Sequence, residues 1–208
     1  MKALILVDLQ NDFMPGGALA VNEGNLVIEP ANRLAEKFEL VIATQDWHPA
    51  DHGSFASNHS NRKPGEMTKL DGLDQILWPN HCVQNTTGAE FHPKLKQNLI
   101  TRVFCKGTNP KVDSYSGFYD NQQRQATGLG DWLREKQVKE VYVMGLATDY
   151  CVKFTALDAV SEGFVTWLVT DGCRGVNLQL GDVEKALAEI QKAGVKLIES
   201  KKIESAKS

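Results

Sequence analysis

The feature that most limits what this chain can fold into is its alternation of short, nearly continuous apolar runs with longer helix-like ones. Ala3–Asp8, Leu40–Thr44, Arg102–Lys106, Glu140–Gly145, Val165–Thr170 and Val195–Ile198 read as strands. Their almost unbroken apolar character is that of strands covered on both faces. Between them, Val27–Phe38, Gly130–Gln137, Cys151–Glu162 and Asp182–Ala193 read as helices, and Pro30 suits a first helical turn. This β-α-β-α order predicts an α/β fold with a parallel sheet and helices on both faces.

The 208 residues, 42% of them hydrophobic, suffice for one substantial core, so a single domain over residues 1–200 is expected. The polar tail 201–208 is expected to fray. Two segments interrupt the alternation. Residues 11–23 form a Gly-containing loop, and residues 46–99 form a long insertion rich in Pro, His, Asn and Gly. A loop of that length in a compact domain is usually functional.

A formal net charge of -3 gives no broad basic surface, so no nucleic-acid partner is expected. No apolar run approaches the roughly 20 residues that span a bilayer, so no membrane partner is expected either. Asp8 and Asp12 break the N-terminal apolar run, which argues against an export signal. Cys82, Cys105, Cys151 and Cys173 show no paired spacing. Reduced thiols and a cytoplasmic location are the expectation. Oligomeric state stays open between monomer and homodimer.

Asp8 ends the first strand, Asp46 follows the second, Lys106 ends the third and Cys151 comes just after the fourth. Ligand sites of open parallel sheets lie beyond the carboxyl ends of the strands. These four side chains should therefore meet at one edge. Cys151 lies in Gly145-Leu-Ala-Thr-Asp-Tyr-Cys151, a turn leading into a helix. There the helix dipole favours a thiolate, and the free N–H groups of the first turn could bind an oxyanion. The alternative, a small buried cysteine, fits Cys105 and Cys173 better. Asp8 could take the thiol proton; an aspartate after a strand also serves as a turn or cap residue. Lys106 follows apolar Val103-Phe104-Cys105, so a buried stem would need a partner such as Asp8. A surface lysine that keeps its head in water is the other reading.

Asp46-Trp-His48-Pro-Ala-Asp-His52 sets a carboxylate and two imidazoles close together, and His81 follows at the far end of the insertion. Such donors suit one borderline divalent ion: Zn first, or Fe or Mn. Solvated loop histidines are the plainer reading, and His59 and His92 look like that. A dinucleotide glycine fingerprint, a phosphate-binding Gly-Lys-Ser/Thr loop and a Gly-x-Ser-x-Gly elbow are all absent.

Leu6-Val-Asp8-Leu-Gln-Asn-Asp-Phe13, Thr44-Gln-Asp46-Trp-His48-Pro, Trp78-Pro-Asn-His81-Cys82, Phe104-Cys-Lys106-Gly and Gly145-Leu-Ala-Thr-Asp-Tyr-Cys151 occur in that order. Asp113-Ser-Tyr-Ser-Gly-Phe118 and Thr170-Asp-Gly-Cys-Arg174 join them. Together, from Ala3 to Ile198, the chain resembles the nicotinamidase/pyrazinamidase family of the isochorismatase-like hydrolase superfamily. The resemblance implies a six-stranded parallel sheet of order 3-2-1-4-5-6. It implies hydrolysis of nicotinamide to nicotinate and ammonia in NAD salvage, and of pyrazinamide, through a cysteine thioester.

By position, the resemblance makes Asp8 the general base, Lys106 the triad lysine and Cys151 the nucleophile. Asp46, His48, His52 and His81 become the metal ligands. The backbone N–H groups of Ala147 and Cys151 become the oxyanion hole, beside a non-proline cis peptide at Ala147–Thr148. Phe13, Trp78 and Tyr115 are each tethered close to one of these residues and offer walls for a flat ring. Tyr115 could equally anchor a loop. Three rivals remain: an amidase for carbamoyl substrates, a metallohydrolase in which Cys151 is structural, and a silent binding module.

Overall fold

The structure, a computed structural model, describes residues 1–203. The last part of the expected tail, residues 204–208, lies outside the described residues. The strands are β1 (Lys2–Val7), β2 (Leu40–Asp46), β3 (Met67–Leu70), β4 (Leu73–Ile76), β5 (Arg102–Lys106), β6 (Glu140–Leu146), β7 (Val165–Arg174) and β8 (Lys196–Ile198). The helices are α1 (Ile28–Ala35), α2 (Leu129–Glu135), α3 (Lys153–Ser161) and α4 (Asp182–Lys192). Six strands form one sheet in the order β5-β2-β1-β6-β7-β8, and every pairing in it is parallel. With the small antiparallel hairpin β3–β4 set aside, this is the expected 3-2-1-4-5-6 order. No helix among the described residues is long and apolar enough to cross a membrane.

The central strand β1 is buried from Ala3 to Val7, which accounts for its unbroken apolar run. The edge strand β5 obeys a different rule. Phe104 and Lys106 point inward, whereas Arg102, Val103 and Cys105 are exposed. A strand alternates its side chains between faces, so Cys105 cannot share the burial of its two neighbours. The expectation of a small buried thiol therefore holds for Cys173 and fails for Cys105.

Helix ends follow simple electrostatics. α4 starts after Gly181 with Asp182 and Glu184 in its first turn and ends with Lys192, each sign matched to the helix dipole. Its inward face is Ala186 and Ile190, four residues apart. The chain past β8 is not loose as far as it is described. Ile203 is buried, and its carbonyl accepts a 2.7 Å hydrogen bond from Lys37 Nζ.

Two local features shape the sheet's carboxyl edge. β7 pairs Leu168 with Val143 and then Cys173 with Gly145, so residues 169–172 bow out opposite Met144. The apolar pattern ended this strand at Thr170 because it could not register such a bulge. The helix expected from Cys151 starts instead at Lys153, after a wide π-type turn over Thr148–Val152. Tyr150, at φ -125 and ψ -105, breaks the helical geometry there. The cis peptide is Leu146–Ala147, one residue before the expected place.

Gly145 marks where β6 runs tight against β1. Its φ is +127, and a Cβ there would stand 2.1 Å from the Val7 carbonyl oxygen. Gly145→Ala should therefore cost about 2–5 kcal/mol in urea unfolding, from strain and overpacking together. Gly128→Ala, at φ +89 with nothing near its Cβ, should cost about 1–2 kcal/mol. Equal losses would show that the Val7 contact does not limit this position.

Candidate active site

Sheet register assembles the site. Lys106 is the β-partner of Asp46, and Val7 is the partner of both Thr44 and Gly145. The chain turns just past Val7, with Asp8 at φ 51, a left-handed geometry that aspartate tolerates better than most residues. Lys106 Nζ consequently lies among acids. It is 2.9 Å from Asp8 Oδ2, it pairs with Asp46 Oδ1, and it donates to Cys151 Sγ at 3.3 Å. It also donates to the Ser114 carbonyl at 3.1 Å. All four side chains are buried.

Burial disfavours the Lys106 ammonium, but Asp46 and Asp8 outweigh it and raise its pKa well above the ordinary value. Burial also opposes the Asp46 carboxylate, yet Lys106 and then His48 hold its pKa far below the usual range. For Asp8 burial wins over Lys106, and its pKa is raised. The Thr44 hydroxyl donates to Asp8 Oδ1 at 2.6 Å, which supports the charged form. Cys151 is pushed well above the ordinary thiol range by burial, against the pull of Lys106, with Asp8 and Asp46 adding to the rise. The thiolate expected from a helix N-terminus is thus not the resting form. Cys151 rests as a thiol beside a carboxylate of raised basicity.

Gln10 clamps Asp46 from the other side. Its side-chain amide donates to the Asp46 carbonyl and accepts from the Asp46 N–H, each at 2.8 Å. Asp46 Oδ2 then faces His48 Nε2 at 3.5 Å and His81 Nε2 at 3.8 Å. Donor atoms of Asp46, His48 and His81 lie within 4.8 Å of one another. His52, expected in the same set, groups instead with His48 and Asp113. Each ring is fixed through Nδ1: His48 on the Gly107 carbonyl (2.8 Å), His81 on the Pro79 carbonyl (2.8 Å) and His52 on the Ser54 hydroxyl (2.7 Å). Gly107 has φ +64, and a Cβ there would stand 2.3 Å from the His48 ring, so only glycine fits.

These contacts leave the Nε2 atoms free to act as ligands, and His52 Nε2 is buried with no hydrogen-bond partner. Burial and then the charge on His48 lower the His81 pKa to about 4, so its ring is neutral at ordinary pH. The donor set therefore suits a divalent cation. His59 and His92 are only partly buried and stand outside it, as expected.

Phe13, Trp78 and Tyr115 come together in one narrow cleft over Cys151. Trp78 Nε1 donates to the Tyr115 hydroxyl at 3.3 Å. Leu19, Tyr150 and Val176 complete the walls, and sequence reasoning missed all three. Tyr150 could have been found, since it adjoins Cys151 and meets Trp78 edge-on at 5.1 Å. Val176 carries no local signal. It is placed by Asp149, whose carboxylate accepts from the N–H groups of Val176 (2.9 Å) and Asn177 (2.7 Å). Asp113 also lines the cleft and was left without a role.

The isochorismatase domain matches residues 2–202 of the chain. The nicotinamidase of Escherichia coli (strain K12) is 57% identical over 200 residues, which cover 94% of this chain and 93% of that protein. Among solved structures, a nicotinamidase/pyrazinamidase of Acinetobacter baumanii matches with TM-score 0.93 at 46% identity, over 96% of both chains. The pyrazinamidase of Pyrococcus horikoshii, in complex with zinc, matches with TM-score 0.77 at 40% identity, over 95% of this chain and 98% of that one.

The Thr44 hydrogen bond should be visible in stability. Thr44→Val removes a donor to a buried carboxylate and should cost about 1.5–3 kcal/mol where Asp8 is ionised. The folded pKa of Asp8 is already raised, so its ionisation erodes stability as pH rises. Losing the bond raises that pKa further. The deficit should therefore grow with pH and shrink once Asp8 is protonated in both states. Urea unfolding at mildly acidic and at neutral pH measures it; a pH-independent deficit would show that the bond does not favour the charged form.

Proposed function

The chain belongs to the isochorismatase domain family, and from that premise we propose that it is a nicotinamidase, hydrolysing nicotinamide to nicotinate and ammonia. The observation that carries this reading is the Cys151 thiol, 3.3 Å from the Lys106 ammonium, which Asp8 shares, on the floor of an aromatic cleft. A thiol, a carboxylate of raised pKa and a fixed cation are the parts that acyl transfer through sulfur needs.

Asp8 takes the proton of the Cys151 thiol as sulfur attacks the carboxamide carbon. Lys106 stays charged throughout and steadies the thiolate as it forms. The N–H groups of Ala147 and Cys151 serve the oxyanion of the tetrahedral intermediate. Asp8 then gives its proton to the departing ammonia. Water hydrolyses the remaining nicotinoyl thioester, with Asp8 again accepting a proton, and Cys151 is restored as a thiol. Phe13, Trp78 and Tyr115 hold the flat ring over the sulfur.

A divalent ion, zinc in our reading, would be held by Asp46, His48 and His81 with His52 beside them. When bound it supplies a positive centre that can orient the pyridine nitrogen, directly or through water. The reaction provides nicotinate for NAD salvage, and the enzyme works in the cytoplasm.

Two outcomes test this. Cys151→Ala should abolish ammonia release from nicotinamide while folding and metal content stay normal. Near-normal turnover would instead favour a metallohydrolase with a structural cysteine. Specificity is probed by the ring nitrogen. Pyrazinamide keeps a nitrogen meta to the carboxamide and should be hydrolysed. Benzamide lacks one, and losing that contact should lower kcat/KM by about ten- to a hundredfold, or about 1–3 kcal/mol. Equal use of benzamide and nicotinamide would mean that the ring nitrogen is not recognised.

A further inference from the structure

Two sets of donors overlap on His48: Asp46, His48 and His81 on one side, and His48, His52 and Asp113 on the other. The second set has an electrostatic imbalance. Asp113 is buried, and its carboxylate is met by neutral donors: the Ser114 N–H at 2.8 Å on Oδ1 and the Gln75 amide at 2.9 Å on Oδ2. Among the described residues no lysine or arginine is paired with it. Beside it stands His52, whose buried Nε2 has no partner. A buried carboxylate with no paired lysine or arginine, next to an imidazole with a free nitrogen, is costly unless a cation completes the group.

Gln75 reaches this point from β4 of the exposed hairpin. It is itself buried, and its amide also approaches the Tyr115 hydroxyl at 3.3 Å. Tyr115 in turn accepts from Trp78. One hairpin side chain therefore touches both the carboxylate beside the histidines and the aromatic wall of the cleft.

We propose that Asp113 is a further residue of the metal centre, a second carboxylate on its His48–His52 side, and that Gln75 of the β3–β4 hairpin positions it there. This rests on the reading of Asp46, His48 and His81 as a metal site. It makes the hairpin part of the site and not a surface ornament, because Gln75 is the hairpin's buried contact with Asp113.

The test is zinc affinity, measured by competition with a fluorescent chelator on the purified full-length protein. Far-UV circular dichroism and urea unfolding of each variant keep folding separate from binding. Asp113→Asn keeps shape and removes charge; it should raise the zinc Kd by about ten- to a hundredfold. Gln75→Leu should raise it less, by about three- to tenfold, and Asp74→Asn on the exposed side of the same hairpin should leave it unchanged. A purely structural Gln75 would lower stability without moving the zinc Kd, which would overturn its part of the proposal. An unchanged Kd in Asp113→Asn would overturn the whole, with the primary site standing. If the wild-type protein itself failed to bind zinc, the reading of the primary site would fall, and this proposal with it.

Discussion

The reactive side chains beneath the cleft are arranged around one buried ammonium. Lys106 has no solvent to hydrate it, and an isolated charge of that kind would cost several kcal/mol or more. It is held because two carboxylates, a thiol and a carbonyl meet it at once. The dependence also runs the other way. Without Lys106 the site would keep Asp8 and Asp46 in a dry pocket with no cation between them, and like charges so placed do not both ionise. The lysine keeps Asp46 charged, whereas burial outweighs its pull on Asp8 and Cys151, which are left to share a proton between them.

The sheet accounts for how this cluster forms. Parallel register puts Lys106 beside Asp46 and brings the ends of β1, β2 and β6 to one edge. That much was legible in the residues. The apolar runs marked the strands, and the polar residue closing each run marked the edge where ligands bind. Asp8, Lys106 and Cys151 could be named because each follows an apolar stretch in a recognisable local pattern. Asp46, His48 and His81 could be named because few residue types bind metals and these cluster in one insertion.

The remainder was hidden for physical reasons. Cys105 is exposed because β5 is an edge strand, and edge position is a property of the whole sheet, invisible in five residues. The raised thiol pKa of Cys151 comes from burial and from carboxylates distant in sequence, which outweigh the pull of Lys106. Thr44 and Gln10 stand inside quoted motifs, but what they do depends on hydrogen bonds made across the fold, and Val176 lies in no motif at all. His52 was read as a member of the ligand set from its spacing and from the family resemblance. The fold groups its ring with Asp113, which lies far along the chain.

Asp46 belongs to both halves of the cleft. One of its oxygens serves the ammonium, and the other faces two imidazoles. A cation on the histidine side and the lysine on the strand side thus draw on the same carboxylate. Thermodynamic linkage makes such sharing reciprocal: whatever free energy one occupant takes from that carboxylate, the other must feel in equal measure. The acid–base half and the histidine half behave as one electrostatic circuit, so a change of charge in either is transmitted to the other without any movement of the backbone.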